Sequence, residues 1–149
     1  MTSVDIKDLA GLIGQESGVS DWVEITQERV NLFAEATGDH QWIHVDVERA
    51  TREIGGPIAH GYLTLSLIPG LSYGLRTITG VKWGINYGSD KVRFINMVRV
   101  GQRVRLRQKV IGVEPRAGGL MLKDECTIEI EGQDKPACVA ETLSVLYAA

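Results

Sequence analysis

Asp39 and His44 are the residues whose types and spacing offer chemistry. They stand five residues apart in the run Thr37-Gly38-Asp39-His40-Gln41-Trp42-Ile43-His44-Val45-Asp46, just past an expected helix end. Partners on one helix face sit three or four residues apart. A spacing of five suits an irregular segment, where both side chains can converge on one small ligand. A carboxylate and an imidazole on either side of a water can orient it and move its proton. Without that pairing, Asp39 reads as a turn or capping residue and His44 as a satisfied surface or core group.

Other groups extend the candidate site. His60-Gly61 opens the most apolar helical stretch. A glycine at a helix N-terminus lets a ligand approach the bare backbone N–H, where the helix dipole adds positive potential. Charge developing on a carbonyl oxygen placed there would be stabilised, which makes the Gly61 N–H an oxyanion-hole candidate. His60 reads as a cap or packing residue. Ser66 is either a helix-packing hydroxyl or a substrate contact, and Trp42 either packs its loop or covers a pocket. Lys91, Arg93, Arg99, Arg103, Arg105, Arg107 and Lys109 make the second half cationic. The run Arg103 to Lys109 reads as a solvated sheet face, which leaves Lys91 and Arg93 as candidates to meet phosphates. Neither a Gly-x-Ser-x-Gly elbow nor a Gly-x-Gly-x-x-Gly loop is present. Asp39, His44 and Asp46 can be misread as a metal cluster, but their spacing is not that of a ligand set, and no metal is expected.

The elements that must position these residues follow from periodicity. Ile6, Leu9, Ala10 and Ile13 predict a helix over Asp5 to Ile13, and Trp22 to Ile25 a short strand. Thr26 offers an N-cap to a helix whose face is Val30, Phe33, Ala34 and Thr37, closed by Gly38. Asp46 caps a short helix through Arg52, and Gly55-Gly56-Pro57 breaks the chain. Leu63, Leu67, Leu71 and Leu75, with Ile68, predict a buried helix from His60 to about Leu75, kinked or interrupted at Pro69. Lys82 to Phe94 reads as one long strand with Gly84 and Gly88 as bulge positions. Alternation over Arg103–Val110 and Leu122–Glu131 predicts a hairpin through the Pro115–Gly119 turn. If it centres near Ala117, Arg105 faces Glu129, Arg103 faces Glu131 and Lys109 faces Glu125. Pro136 to Tyr147 is the last strand. One early strand, a central apolar helix and four later strands make an α+β order, fitted by a curved antiparallel sheet around that helix.

The totals limit the alternatives. At 149 residues the chain is expected to be one domain spanning 1–149. The net charge of −3 gives no case for nucleic acid or a membrane surface. No apolar run approaches ~18 residues, and Met1 to Lys7 shows no secretory pattern. Cys126 and Cys138 read as reduced, half-buried thiols of a cytoplasmic protein.

With Phe33 before it and Ala50 after it, the Gly38–His44 stretch resembles the signature of the MaoC-like (R)-specific enoyl-CoA hydratases. Gln41-Trp42 stands where that signature has Asn-Pro. Gly38-Asp39-His40-Gln41-Trp42-Ile43-His44, Ile85-Asn86-Tyr87-Gly88 and Lys91-Val92-Arg93-Phe94 resemble the nodulation-protein-N-like subgroup, and the resemblance runs from about Trp22 to Tyr147. It implies a hot-dog fold and hydration of trans-2-enoyl-CoA to (R)-3-hydroxyacyl-CoA, with Asp39 and His44 catalytic and the Gly61 N–H as oxyanion donor. His60-Gly61-Tyr62-Leu63 resembles the family's oxyanion segment. Trp42, Ser66, Asn86, Lys91 and Arg93 are the candidate substrate contacts, Asn86 lining either the pocket or a dimer contact. The resemblance implies no cofactor beyond the coenzyme A thioester, which is substrate. A homodimer or larger even assembly is expected, because a curved sheet around one helix leaves edges that a small domain covers poorly. An acyl-CoA thioesterase and a non-catalytic acyl-binding protein are the alternatives.

Overall fold

Charge alternation along two strands sets the register of the largest part of the molecule. A computed structural model describes residues 1–149. Strands Arg103–Arg116 and Gly119–Ile130 form a hairpin in which Arg105 lies opposite Glu129 and Lys109 opposite Glu125. Arg105, Arg103 and Lys109 reach Glu129, Glu131 and Glu125 at 2.8, 3.2 and 3.8 Å. These are the three pairs that the alternation predicts. Near the turn a bulge between Val110 and Gly112 shifts the register by one, so Arg116 faces Gly119. Ala117 and Gly118 then turn the chain with φ of 52° and 78°, the left-handed pair of a tight hairpin whose twist matches its strands.

Around this hairpin the chain forms eight strands and five α-helices. The strands are β1 (Thr2–Asp5), β2 (Glu16–Val19), β3 (Val23–Glu24), β4 (Arg76–Thr79), β5 (Val81–Phe94), β6 (Arg103–Arg116), β7 (Gly119–Ile130) and β8 (Cys138–Ala148). The helices are α1 (Gln27–Thr37), α2 (Trp42–Val45), α3 (Val47–Ile54), α4 (Gly61–Ser66) and α5 (Ile68–Ser72). The main sheet runs β2-β6-β7-β8-β5, with β3 also on β6, and all its pairings are antiparallel. Its inner face brings Val104, Leu106, Cys126, Ile128 and Ile130 against Leu63, Ile68 and Leu75 of the helical segment. This is the hot-dog arrangement: a long antiparallel sheet curved around a central helix. No helix is long and apolar enough to cross a membrane.

Several local expectations are corrected. β1 and β4 pair in parallel as a separate two-stranded sheet, and β2 adds to the main one. Three strands of four residues each carry too few side chains for a period of two to show. The segment expected as a helix from Asp5 is a 3-10 helix over Ile6–Leu12, capped by Asp5. The central helix is two short ones that part at Leu67, because Pro69 in the first turn of α5 has no N–H to continue the ladder. It is also not wholly enclosed: Tyr62 and Tyr73 are exposed. In β5 one bulge falls at Asn86/Gly88, as expected for Gly88. Gly84 instead pairs regularly with Leu146, where an added Cβ would lie 2.8 Å from the Leu146 side chain. Cys126 and Cys138 are fully buried rather than half-buried. Burial pushes both thiols up to about 11, so they stay protonated and inert.

Candidate active site

The loop after α1 and the one-turn helix α2 carry the pair. Thr26 caps α1 by accepting from the Arg29 N–H, and Gly38 closes it in the left-handed conformation. The chain then turns so that Asp39 Oδ1 accepts from the Gln41 N–H at 3.3 Å. His44 does not lie in an irregular segment, as its spacing from Asp39 suggests, but inside α2. Gln41, which lies outside the helix, lets Asp39 and His44 converge although five residues separate them. Asp46 is drawn away: its carboxylate caps α3 by accepting from the Arg49 N–H.

Two contacts fix α2. Gln27 donates from Nε2 to the His44 carbonyl at 2.8 Å. The main chain of Ile58 accepts from His44 Nδ1 at 2.7 Å, and its N–H donates to the Ile43 carbonyl at 3.0 Å. Segment 57–59 is in turn bonded to Val98 and Val100, so the site is tied to the connection between β5 and β6. Because Nδ1–H is engaged by a carbonyl, His44 presents Nε2 as a lone pair. Its side chain is buried, with 6% of the residue exposed. Burial lowers its pKa below the usual 6.5; the Ile58 carbonyl opposes this, His60 adds to it and Asp39 opposes it. The imidazole is therefore neutral near pH 7, as a proton acceptor must be.

His60 completes the cluster, a residue that sequence spacing did not bring to the pair. Asp39, His44 and His60 hold donor atoms within 4.8 Å of one another. The two imidazoles stack at 3.7 Å and 22°. Imidazole lone pairs lie in the ring plane, so in near-parallel rings they run side by side instead of meeting at one metal centre. One nitrogen of each ring also faces a main-chain carbonyl, of Ile58 for His44 and of Asp39 for His60. The donor set fits an acid–base pair better than a cation.

Gly61 is the first residue of α4, directly after His60. An added Cβ would meet the Phe94 ring at 3.1–3.3 Å. Trp42 packs under the guanidinium of Arg49, 4.0 Å from its ring centroid. The Ser66 hydroxyl is taken by the Tyr62 carbonyl at 2.6 Å. Lys91 is exposed and paired with Glu141 at 3.5 Å. Arg93 is exposed without an ion pair, one residue before Phe94. Asn86 is exposed eight residues before Phe94 on the same strand, up to ~26 Å away at the rise of a β-strand. It is not brought to the pair within one chain. Arg105 and Arg107 are held by Glu129 and Glu16.

A family model described as a MaoC-like domain matches residues 8–128. The chain is 53% identical to 3-hydroxyacyl-thioester dehydratase Z of Mycobacterium tuberculosis, over 99% of each chain. It is 44% identical to nodulation protein N of Rhizobium meliloti, over 97% of this chain and 92% of that one. Among solved structures, an (R)-hydratase from A. caviae matches with a TM-score of 0.72 at 25% identity, over 90% of this chain and 96% of that one.

Proposed function

The chain belongs to the MaoC-like dehydratase family, and from that premise we propose that it catalyses (R)-specific, reversible hydration of trans-2-enoyl-CoA to (R)-3-hydroxyacyl-CoA. The observation that supports this most is the convergence of the Asp39 carboxylate with the ring of a buried, neutral His44. A water held between them loses a proton to the pair as its oxygen bonds to the β-carbon. The alkene electrons pass to the thioester oxygen, where the Gly61 N–H stabilises the enolate. Collapse of the enolate takes a proton from the pair at the α-carbon, so the pair ends as it began. The pair acts as one unit. No redox cofactor or metal enters this reading, and the thioester is substrate. Trp42, braced by Arg49, borders the entrance; Ser66 supports α4. Arg93, with Lys91 beside it, meets the coenzyme A phosphates. Reduced Cys126 and Cys138 suit a cytoplasmic enzyme.

Loss of enoyl-thioester absorbance from crotonyl-CoA and longer enoyl-CoAs tests the reading, with free thiol followed in parallel. Alkene loss without thiol release is expected. Thiol release would make it a thioesterase, and binding without either change an acyl-binding protein. The same assay checks the protonation state. Since only neutral His44 can accept a proton, kcat/KM should rise with pH along a limb centred below 6.5. A limb centred well above that value would contradict a neutral resting His44.

The proposed assembly is a homodimer joined along β5. This fourteen-residue strand is the sheet edge, bonded on one side to β8. Trp83, 53% exposed, together with Ile85 and Tyr87, leaves it apolar as well as unpaired. An unpaired apolar edge is a template for pairing with another chain, and a second copy would cover it. Pairing would also bring the partner's β5 near the site, the route by which Asn86 could line it. Sedimentation should give twice the 16.3 kDa chain mass; a stable monomer at working concentration would remove this proposal.

A further inference from the structure

His60 has no part in the water-addition steps, yet it is built into the site more tightly than a packing residue requires. Only 3% of it is exposed. Its Nε2 lies 3.0 Å from the main-chain carbonyl of Asp39, twenty-one residues away. A carbonyl can only accept, so His60 carries its proton on Nε2 and donates it there. That leaves Nδ1 as a buried lone pair without a hydrogen-bond partner. Gln27 Oε1 is the other buried side-chain atom in this condition, and Gln27 is the residue that holds the His44 carbonyl. Both unpaired acceptors therefore belong to residues that bond the pair's own main chain. Native structures rarely keep such atoms, and those that persist call for an explanation.

The ring does a second thing. One face stacks on His44 at 3.7 Å, and Phe33 packs against it at 4.9 Å. A phenylalanine or leucine at position 60 would fill that space without burying an unpaired nitrogen. What neither could supply is the N–H that reaches Asp39. Position 60 is also the N-cap of α4, adjacent to Gly61. The His60 side chain thus touches the main chain that carries the carboxylate and the ring of the imidazole, while its own main chain begins the candidate oxyanion helix.

Resting on the hydration reading above, we propose that His60 is a positioning residue for the Asp39–His44 pair. Its Nε2–H pins the Asp39 main chain and its ring face sets the plane of His44. Both members of the pair are thereby referenced to the first turn of α4, against which the thioester lies. His60 exchanges no proton with substrate.

Two variants separate the two contacts. His60→Phe keeps the stack and loses the donor; His60→Gln restores an N–H donor and loses the aromatic face. In enoyl-CoA hydration, His60→Phe should lower kcat by about 10²-fold, the scale of a small misplacement of catalytic groups, with KM nearly unchanged. His60→Gln should recover a large part of that loss. Wild-type kcat in His60→Phe would overturn the inference. So would equal losses in both variants that track a matching loss of thermal stability, because His60 would then be a packing residue. Imidazole 15N spectra of the wild-type protein give an answer that does not depend on any variant folding. His60 should carry its proton on Nε2 with Nδ1 bare, and the opposite tautomer would overturn the contact with Asp39. If the wild type hydrates no enoyl thioester, the hydration reading fails by itself, while the 15N spectrum still judges the His60 contact.

Discussion

Asp39→Asn and His44→Ala should each lower kcat for the best enoyl-CoA substrate by about 10²-fold or more, the scale of acid–base catalysis, and the double variant should fall little further. Neither group alone can both orient the water and move its proton, and residues that act as a unit are non-additive. The two variants differ in what they do to the fold. Asp39 is exposed, and an asparagine keeps an oxygen for the Gln41 N–H, so stability should hold. His44 is buried, stacked on His60 and bonded to the Ile58 carbonyl. Its removal leaves a space and an unpaired acceptor, which costs about 1–3 kcal/mol. Asp39→Asn is therefore the decisive variant. Near wild-type hydration by that protein, with its fold unchanged, would mean that another group moves the proton.

The second large effect falls on stability. Arg76 of β4 and Asp124 of β7 form a bidentate ion pair inside the molecule, at 2.7 and 2.5 Å. Their side chains are 7% and 4% exposed. Arg76 also donates to Ser17 of β2 at 3.3 Å, so one guanidinium ties three strands from both sheets. Removing one partner strands a buried charge, and Asp124→Ala should destabilise by about 3–5 kcal/mol. In thermal melts that is a fall in Tm on the order of 10 °C for a chain of this size. Replacing both, as Arg76→Met with Asp124→Leu, should recover most of the loss, because two well-packed apolar groups need no partner. A change below about 1 kcal/mol in Asp124→Ala would show that water reaches the bare guanidinium.

The hairpin shows how far local pattern reaches. Opposite charges at alternate positions of β6 and β7, with a turn between them, specified the pairing of Arg105 with Glu129 and of Lys109 with Glu125. The cap residues Thr26 and Asp46 and the break at Pro69 were legible for the same reason, since each acts on backbone within a few residues of itself. Asp39, His44 and Gly61 stood out by type and spacing. Asp124 and Gln108 occupy apolar-face positions of their strands, and their partners, Arg76 and Ser72, come from far along the chain.

What the chain's own order of residues determined, then, was whatever depends on neighbours along it: caps, breaks, strand alternation, hairpin register and the chemical types available at the site. Tertiary structure decided everything that depends on a partner far away. Two examples carry that division. His60 reaches the Asp39 carbonyl and the His44 ring because the link between segment 57–59 and Val98 and Val100 sets the start of α4 beside α2. Likewise β1 and β4, four residues each and separated by some seventy positions, pair because the end of α5 is packed against the sheet. A hydrogen bond or a stacked ring between distant residues leaves no period in the sequence. It arises when burial of the apolar faces has fixed the elements, and the burial is collective, shared over many side chains, none of which names the residue it will meet.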